Sequence, residues 1–487
     1  MKPLFCLSLL ALGSVLSMAD QATRNWPTWR GPLANGVAPE ADPPTTWSET
    51  NHVKWKVAVP GRGTASPVVW EDQIFILTAI PTGKKVEPKV PSPIPPTPSA
   101  TSASTGTDPG GAAAPAPANS GSSTNRARRA GGGTGGGGGG GRAMVEPVTE
   151  EQQFAVISYD RATGKVLWKH SPRTLVPHEG HHKDHGFASA SPVTDGEVLI
   201  ASFGSRGLFG YDLKGNLLWE KELGRMTTRG TFGEGSSPAL AGNTVVVVWD
   251  HDGEGDFVVA LDKRSGKELW RQKREEDTNW STPLVVEHDG RKQVVVNGAN
   301  KVKAYDLSTG STIWEAGGQT KNVIPAPVAG HNRVYVTSGW RGAALQAITL
   351  GKTGDLTGTD AIAWTHNKST PYVPSPLLYG DWLYFYANNN AQLTILDAKD
   401  GKEFLDAERL EGLFGVYASP VGASGRVYLV SRDGGTWVIK NGPGLEVLAK
   451  NKLNDGFDAS PAVVGKELLL RGRENLYSLA NEATSNR

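Results

Sequence analysis

Eight Ser-Pro-like dipeptides punctuate this chain at nearly even intervals, and that period restricts what it can fold into more than any other feature. They are Ser66-Pro67, Ser191-Pro192, Ser237-Pro238, Thr282-Pro283, Ala326-Pro327, Ser375-Pro376, Ser419-Pro420 and Ser460-Pro461. From the second to the eighth, the spacings are 46, 45, 44, 49, 44 and 41 residues. A fixed period of that size marks an array of one supersecondary unit. A short apolar strand follows each dipeptide, and most units end in an apolar strand carrying a Trp. Helical apolar periodicity is absent and turn residues recur throughout, so the unit is built from strands.

The fourth unit shows the pattern most clearly. After Thr282-Pro283 come Leu284-Val285-Val286, a turn at His288-Asp289-Gly290, and Gln293 to Val296. Lys301 to Tyr305 is the third strand, Asp306 to Gly310 the next turn, and Thr312-Ile313-Trp314 the last strand. Four-stranded units of about 40–50 residues are β-propeller blades. Eight copies predict an all-β, eight-bladed β-propeller of four-stranded antiparallel blades over residues 51–487. The third-to-fourth turn recurs as Asp160 to Gly164 before Trp168, Asp262 to Gly266 before Trp270, and Asp397 to Gly401 before Leu405. Asp212 to Gly215 before Trp219 is one residue shorter. In such a turn the Asp carboxylate accepts backbone N–H groups two or three residues on, and Gly takes the left-handed position. The Trp side chains are expected between adjacent blades, where each indole removes about 150–250 Å² from water.

Closure of the ring follows from what is missing. The last unit supplies Ala462-Val463-Val464, Glu467 to Leu470 and Leu476 to Leu479, and lacks a fourth strand. An orphan strand of fourth-strand type, Val53 to Val57, precedes the first dipeptide. Pairing the two closes the ring and removes its edges. Residues 20–50 form an extended N-terminal segment ahead of it. Residues 81–152, rich in Pro, Ser, Ala and Gly, read as a disordered insert between the second and third strands of the first blade. Arg126, Arg128, Arg129 and Arg142 make that insert weakly basic.

Lys2, the apolar run Leu4 to Leu16 and Ser17-Met18-Ala19 read as a signal peptide over residues 1–19. The run is short for a membrane span. Cys6, the single cysteine, lies inside it rather than at the cleavage point, which argues against a lipoprotein. The mature chain is therefore expected in the periplasm or secreted, without thiols or a transmembrane segment, and monomeric. A net charge of +1 with 20% charged residues argues against a nucleic-acid partner.

The turn-and-Trp unit resembles the repeat of pyrroloquinoline-quinone (PQQ) dehydrogenases, Ala-x-Asp-x-x-Thr-Gly-x-x-x-Trp. Ala304 to Trp314 matches it fully, and Ser158 to Trp168 and Ala260 to Trp270 match with one substitution each. Outside the insert, the mature chain is similar to the PQQ-binding-like propeller repeat proteins. The extracytoplasmic group opening with Trp-Pro-x-Trp-Arg-Gly-Pro resembles it most, through Trp26-Pro27-Thr28-Trp29-Arg30-Gly31-Pro32. BamB, the propeller lipoprotein of the outer-membrane assembly machinery, is similar in architecture. The resemblance implies the fold and allows PQQ with a divalent metal as cofactors. Methanol- and ethanol-type quinoproteins cover PQQ with a disulfide between adjacent cysteines, which this mature chain lacks, and no Cys-x-x-Cys-His haem site is present.

In a four-stranded meander the loops from second to third strand, and from blade to blade, share the face where propellers bind ligands. One blade-to-blade loop, Pro177 to His185, holds four of the ten histidines. His181, His182, His185 and Glu179 are its candidate metal ligands, because imidazole and carboxylate suit zinc, copper or iron. The alternatives are a polar loop hydrogen-bonding across the channel mouth and general acid–base work by one of the histidines. A second loop, Asp250-His251-Asp252-Gly253-Glu254-Gly255-Asp256, offers Asp250, Asp252, Glu254 and Asp256 as calcium or magnesium ligands, or is a solvated acidic turn. Arg62, Arg229, Glu234, Trp280, Asn322, Tyr372, Tyr417, Asp455 and Asp458 are placed in the remaining mouth loops. The expected function is an extracytoplasmic binding or assembly scaffold for an envelope protein, peptide or carbohydrate, without assignable catalysis. The alternative is a PQQ- or metal-dependent oxidoreductase with its site at the mouth.

Overall fold

A computed structural model describes residues 18–86 and 145–481. Nearly all of the signal-peptide stretch, with Cys6, and the body of the insert, with its four arginines, lie outside the described residues. The chain forms eight antiparallel blades in a ring, each a sheet of four strands running outward from a central channel. The first blade is Val68–Trp70, Gln73–Lys85, Glu150–Asp160 and Val166–Leu175. The fourth carries a fifth strand, Gly354–Asp355, parallel to its outermost one.

The ring closes as the strand count requires. Val53–Ala58 is the outer strand of the last blade and pairs antiparallel with Asn475–Ala480, with Trp55 opposite Ser478 and Lys56 opposite Tyr477. The described ends of the 81–152 stretch depart from a reading as disordered insert. Both of its ends are strand, with Pro81 paired to Gln152 and Lys85 to Glu150. Val145–Glu146 then pairs with His181–His182, which returns the chain beside the channel mouth. Backbone pairing overrides a Pro- and Gly-rich composition where a neighbouring strand supplies partners.

The Trp residues sit between blades through one repeated contact. The Trp55 indole donates to Arg161 O of the next blade (2.9 Å), Trp168 to Leu213 O (3.1 Å), Trp219 to Lys263 O (2.8 Å) and Trp270 to Leu307 O (2.8 Å). Each acceptor lies in the Asp-to-Gly turn of the following blade. The turn glycine has a second reason to be Gly: at Gly310 a Cβ would come within 2.6 Å of the Trp270 ring. Gly164, Gly215, Gly266 and Gly401 meet Trp55, Trp168, Trp219 and Trp364 in the same way. The turn carboxylates cap as expected; Asp160 accepts from Thr163 N (2.8 Å) and Asp306 from Thr309 N (2.9 Å). Asp262 and Asp397 accept from Ser265 N and Lys399 N. Trp314 departs from the scheme. The next blade replaces the short turn with a longer link, and the Trp314 indole donates within its own blade to Gln293 Oε1 (2.8 Å).

The serine of the Ser-Pro dipeptide has a role that its sequence did not disclose. Ser66 N donates to Ser191 Oγ, Ser191 N to Ser237 Oγ and Ser237 N to Thr282 Oγ1. Ala326 N, Ser375 N and Ser419 N likewise donate to Ser375, Ser419 and Ser460, and Ser460 N donates to Ser66 Oγ. Seven hydroxyls thus stitch eight inner strands together around the channel, broken only where Ala326 has no oxygen for Thr282 N. Ala326→Ser is expected to supply that acceptor and raise unfolding free energy by about 1 kcal/mol. Ser66→Ala should lower it by about 1–3 kcal/mol, since it leaves the Ser460 N–H buried without an acceptor. Urea unfolding of the two variants checks both signs.

The N-terminal segment, expected only as extended chain, begins with a short helix, Met18–Thr23, and then crosses the face opposite the mouth. Trp26 pairs its backbone with Val69 in the first blade, and Pro27 O accepts from Thr194 N in the second. Farther along, Val37–Ala38 pairs parallel with Val421–Ala423 of the seventh blade, and Asp42 N reaches Gly465 O of the eighth. In between, buried Arg30 donates to Pro376 O (2.6 Å) and Pro420 O (3.0 Å). The Trp-Pro-x-Trp-Arg-Gly-Pro run is therefore a plug strapped across the channel.

Candidate functional site

The mouth opens into a cavity of about 720 Å³. Trp29 of the plug lies at its deep end, the hydroxyl ring forms the throat, and Phe232, Trp280, Trp340, Tyr372 and Tyr417 line the wall. Trp340 and Tyr372 stack with ring centres 4.9 Å apart. The Trp280 indole is held by Gly233 O (2.7 Å).

The histidine loop lies at this mouth and is tied across it. Asp184 accepts from Tyr417 Oη (2.9 Å) and forms an ion pair with Arg432 (3.1 Å), reaching from the first blade-to-blade loop to the seventh blade. Arg432 also pairs with Asp458, which is shared with Arg473, and stacks over the Tyr417 ring at 4.0 Å. The Arg432 guanidinium helps hold Asp184 below the ordinary carboxylate range, against the opposing effect of burial. Burial foremost, with the Asp184 carboxylate beside it, drives Tyr417 far above its usual value.

The predicted ligands are placed in the same region but do not face a common point. His185 Nε2 faces Phe232 O, and its Nδ1 contacts Ser189 Oγ (2.8 Å) and Gly186 O (3.1 Å). His181 Nδ1 contacts His182 O (2.8 Å), its ring edge-on to Phe187. His182 Nδ1 accepts from Asp184 N (3.2 Å). Glu179 accepts from Thr228 Oγ1 (2.6 Å) and Thr228 N (3.2 Å), while burial raises its pKa.

The acidic loop is pinned in the same manner. Asp250 is buried against Arg274 (2.8 Å) and Asn279 (3.1 Å). Asp252 accepts from Thr278 Oγ1 (2.7 Å) and Arg229, and Asp256 from His251 N and Glu276 N. Glu254 points into solvent. The two loops are neighbours, joined through the segment that carries Thr227 and Thr228: Asp252 N donates to Thr227 O (2.9 Å). Among the described residues, the three His, Asp or Glu side chains that do converge are His178, Glu179 and Glu234. Spacing in sequence missed this set, because Glu234 comes from a different loop. Glu234 already pairs with buried Arg206 (2.7 Å) and accepts from Ser205 N (2.6 Å), and His178 Nε2 contacts Met226 O (2.8 Å).

Of the other expected mouth residues, Arg229 bridges Asp277 (3.0 Å) and Asn322 (3.2 Å). Asp455 caps the 472–475 turn through Arg473 N and Asn475 N, and Arg62 pairs its backbone with Ala79. The missed residues are Trp29, Phe232, Trp340 and the Ser-Pro hydroxyls. No local pattern marks them as one site, since they come from five or more blades and the plug.

Burial, reinforced by the neighbouring imidazoles, pulls His185 down from 6.5 to about 4. Its folded-state value lies below the unfolded one, so its contribution is complete above pH 6.5 and is lost as pH falls toward 4. The loss amounts to at most about 3 kcal/mol, because the ring keeps one edge on the cavity. His185→Gln is expected to flatten this acid limb. Urea midpoints measured between pH 7 and pH 4 test it.

Together these features define an eight-bladed β-propeller with a plugged, aromatic funnel at one face. A family model described as outer membrane protein assembly factor BamB matches residues 138–253. The chain therefore resembles the PQQ-like β-propeller proteins, with the family model matching one stretch of it and the fold matching over nearly its whole length. Quinohemoprotein alcohol dehydrogenase from Comamonas testosteroni superposes with a TM-score of 0.58 at 10% identity, covering 96% of this chain and 82% of that one. BamB from Moraxella catarrhalis gives a TM-score of 0.48 at 15% identity, covering 71% of this chain and 92% of that one. The computationally designed Ika8 protein gives 0.47 at 13% identity, covering 69% and 96%. No curated protein sequence matches the chain. No helix among the described residues is long and apolar enough to cross a membrane.

Proposed function

We propose that this protein is an extracytoplasmic binding propeller that receives part of a partner, an envelope protein, peptide or carbohydrate, in the mouth funnel. One observation carries the reading: an aromatic cavity of about 720 Å³ whose two carboxylates, Asp184 and Asp458, are both held by arginines. Asp184, Asp458, Arg432 and Arg473 form a closed ion-pair network, and both nitrogens of His185 are engaged. Such a wall offers flat apolar faces and a rigid polar rim, which suits recognition more than proton transfer. The PQQ-type repeat and the BamB family match support the extracytoplasmic setting.

The oxidoreductase reading is favoured by the similarity to the quinohemoprotein dehydrogenase fold. Its cofactor set fits the residues poorly. The converging carboxylates belong to the His178, Glu179 and Glu234 cluster, where Arg206 already supplies the positive charge. Two measurements separate the readings. A photocrosslinking residue at Trp340 or Tyr372 should yield discrete adducts in an envelope extract, whereas one at exposed Phe404 on an outer strand should not. PQQ with calcium should give no dye reduction from alcohols or sugars above the cofactor-free background. Cofactor-dependent reduction would overturn the binding reading in favour of the enzyme.

A further inference from the structure

The throat of the funnel has an excess of hydroxyl donors. Ser66, Ser191, Ser237, Thr282, Ser375, Ser419 and Ser460 all line the cavity. Each hydroxyl oxygen accepts one backbone N–H from the preceding blade. None of the seven donates its own proton to an acceptor among the described residues. The six serines are at most 5% exposed, so these protons have only the channel to serve.

Two guanidinium groups back the ring from different sides. Arg30 is 2% exposed and donates to Pro376 O and Pro420 O, the carbonyls just after Ser375 and Ser419. Arg471 is 2% exposed and donates to Ala65 O, just before Ser66, and to Leu77 O. Among the described residues neither forms a salt bridge, and the Nε of each is buried without a partner. Burial without a counter-charge lowers Arg30 to about 9 and Arg471 to about 10. A buried charge is expensive unless it is paired, and carbonyl oxygens solvate a cation without neutralising it. Water in the channel would satisfy the hydroxyls but leave both charges uncompensated.

We propose that the hydroxyl ring, backed by Arg30 and Arg471, is an oxyanion-binding throat that takes a phosphate or carboxylate group. Hydroxyl donors converging on a low-dielectric channel, with fixed positive charge behind them, are how proteins hold such groups without a metal. The inference rests on the funnel being a ligand site and names the chemistry of the ligand's deep end. It requires neither the aromatic wall nor a macromolecular partner.

The test is calorimetric titration of the purified protein with sodium phosphate and with sodium citrate, each against sodium chloride at equal ionic strength. Saturable heat with either oxyanion supports the site, and whichever probe binds identifies its source as phosphate or carboxylate. The double variant S191A/S419A should weaken that binding by about tenfold or more, since two donors are lost. Heat no greater than that of chloride, or equal affinity in the double variant, would overturn the proposal. Should the double variant not fold, selenate-soaked crystals of the unaltered protein decide. Anomalous density inside the ring supports the throat, and ordered water alone there rejects it. A Trp340→Ala/Tyr372→Ala variant should keep phosphate or citrate binding, so failure of the wall as a partner site leaves this outcome readable.

Discussion

A chain beginning at Val59 is expected to lose its cooperative unfolding transition and elute as aggregate in size-exclusion chromatography. Such a chain lacks Val53–Ala58, and the Asn475–Ala480 strand becomes a bare edge of unpaired N–H and C=O groups. The seam between the last and first blades fails with it. Lys54 pairs with Glu467 (2.9 Å), Glu467 pairs with Arg161 (3.1 Å), and the Trp55 indole covers Gly164. A chain beginning at Asn51 is the control. It loses the plug but keeps the closing strand, and should unfold in one transition at a lower urea midpoint. Equal behaviour of the two chains would show that ring closure is not what holds the blades together.

The second large effect is expected from Trp270→Ala, with a loss of about 3–5 kcal/mol in unfolding free energy. The indole is 8% exposed, donates to Leu307 O, and packs on Gly310 and Tyr305 of the next blade. Truncation leaves both a cavity at the blade interface and a carbonyl without its donor. Gly310→Val attacks the same contact from the other side. Its side chain would meet the indole at van der Waals overlap on a backbone with φ of +74°, so the variant should lose stability through crowding and strain. Trp382, on a second strand and only partly buried, serves as the comparison and should cost less on truncation. Chemical unfolding of the three variants ranks them.

The blades were legible because a propeller repeats one local problem eight times. Asp306 to Gly310 before Trp314 states its own turn, and a recurrence near 45 residues leaves few architectures to weigh. Closure by Val53 to Val57 was legible too, since a missing fourth strand at one end and a spare at the other have one economical pairing. The strand pairing at the two ends of residues 81–152 was not legible, because composition reports on backbone freedom and not on whether a partner strand lies alongside. The histidine loop attracted attention by density alone. Whether imidazole nitrogens face a common point or their own backbone depends on loop geometry that spacing does not encode. Here Phe232 O and Ser189 take both nitrogens of His185.

Local sequence therefore determined the unit, its number and the way the ring shuts, because turns and strand alternation are properties of neighbours in the chain. Tertiary structure alone decided what the channel holds. Its floor is Trp29 and its throat is one hydroxyl from nearly every blade, with Arg30 and Arg471 buried behind it. These groups lie tens to hundreds of residues apart, so nothing short of the closed ring brings them face to face.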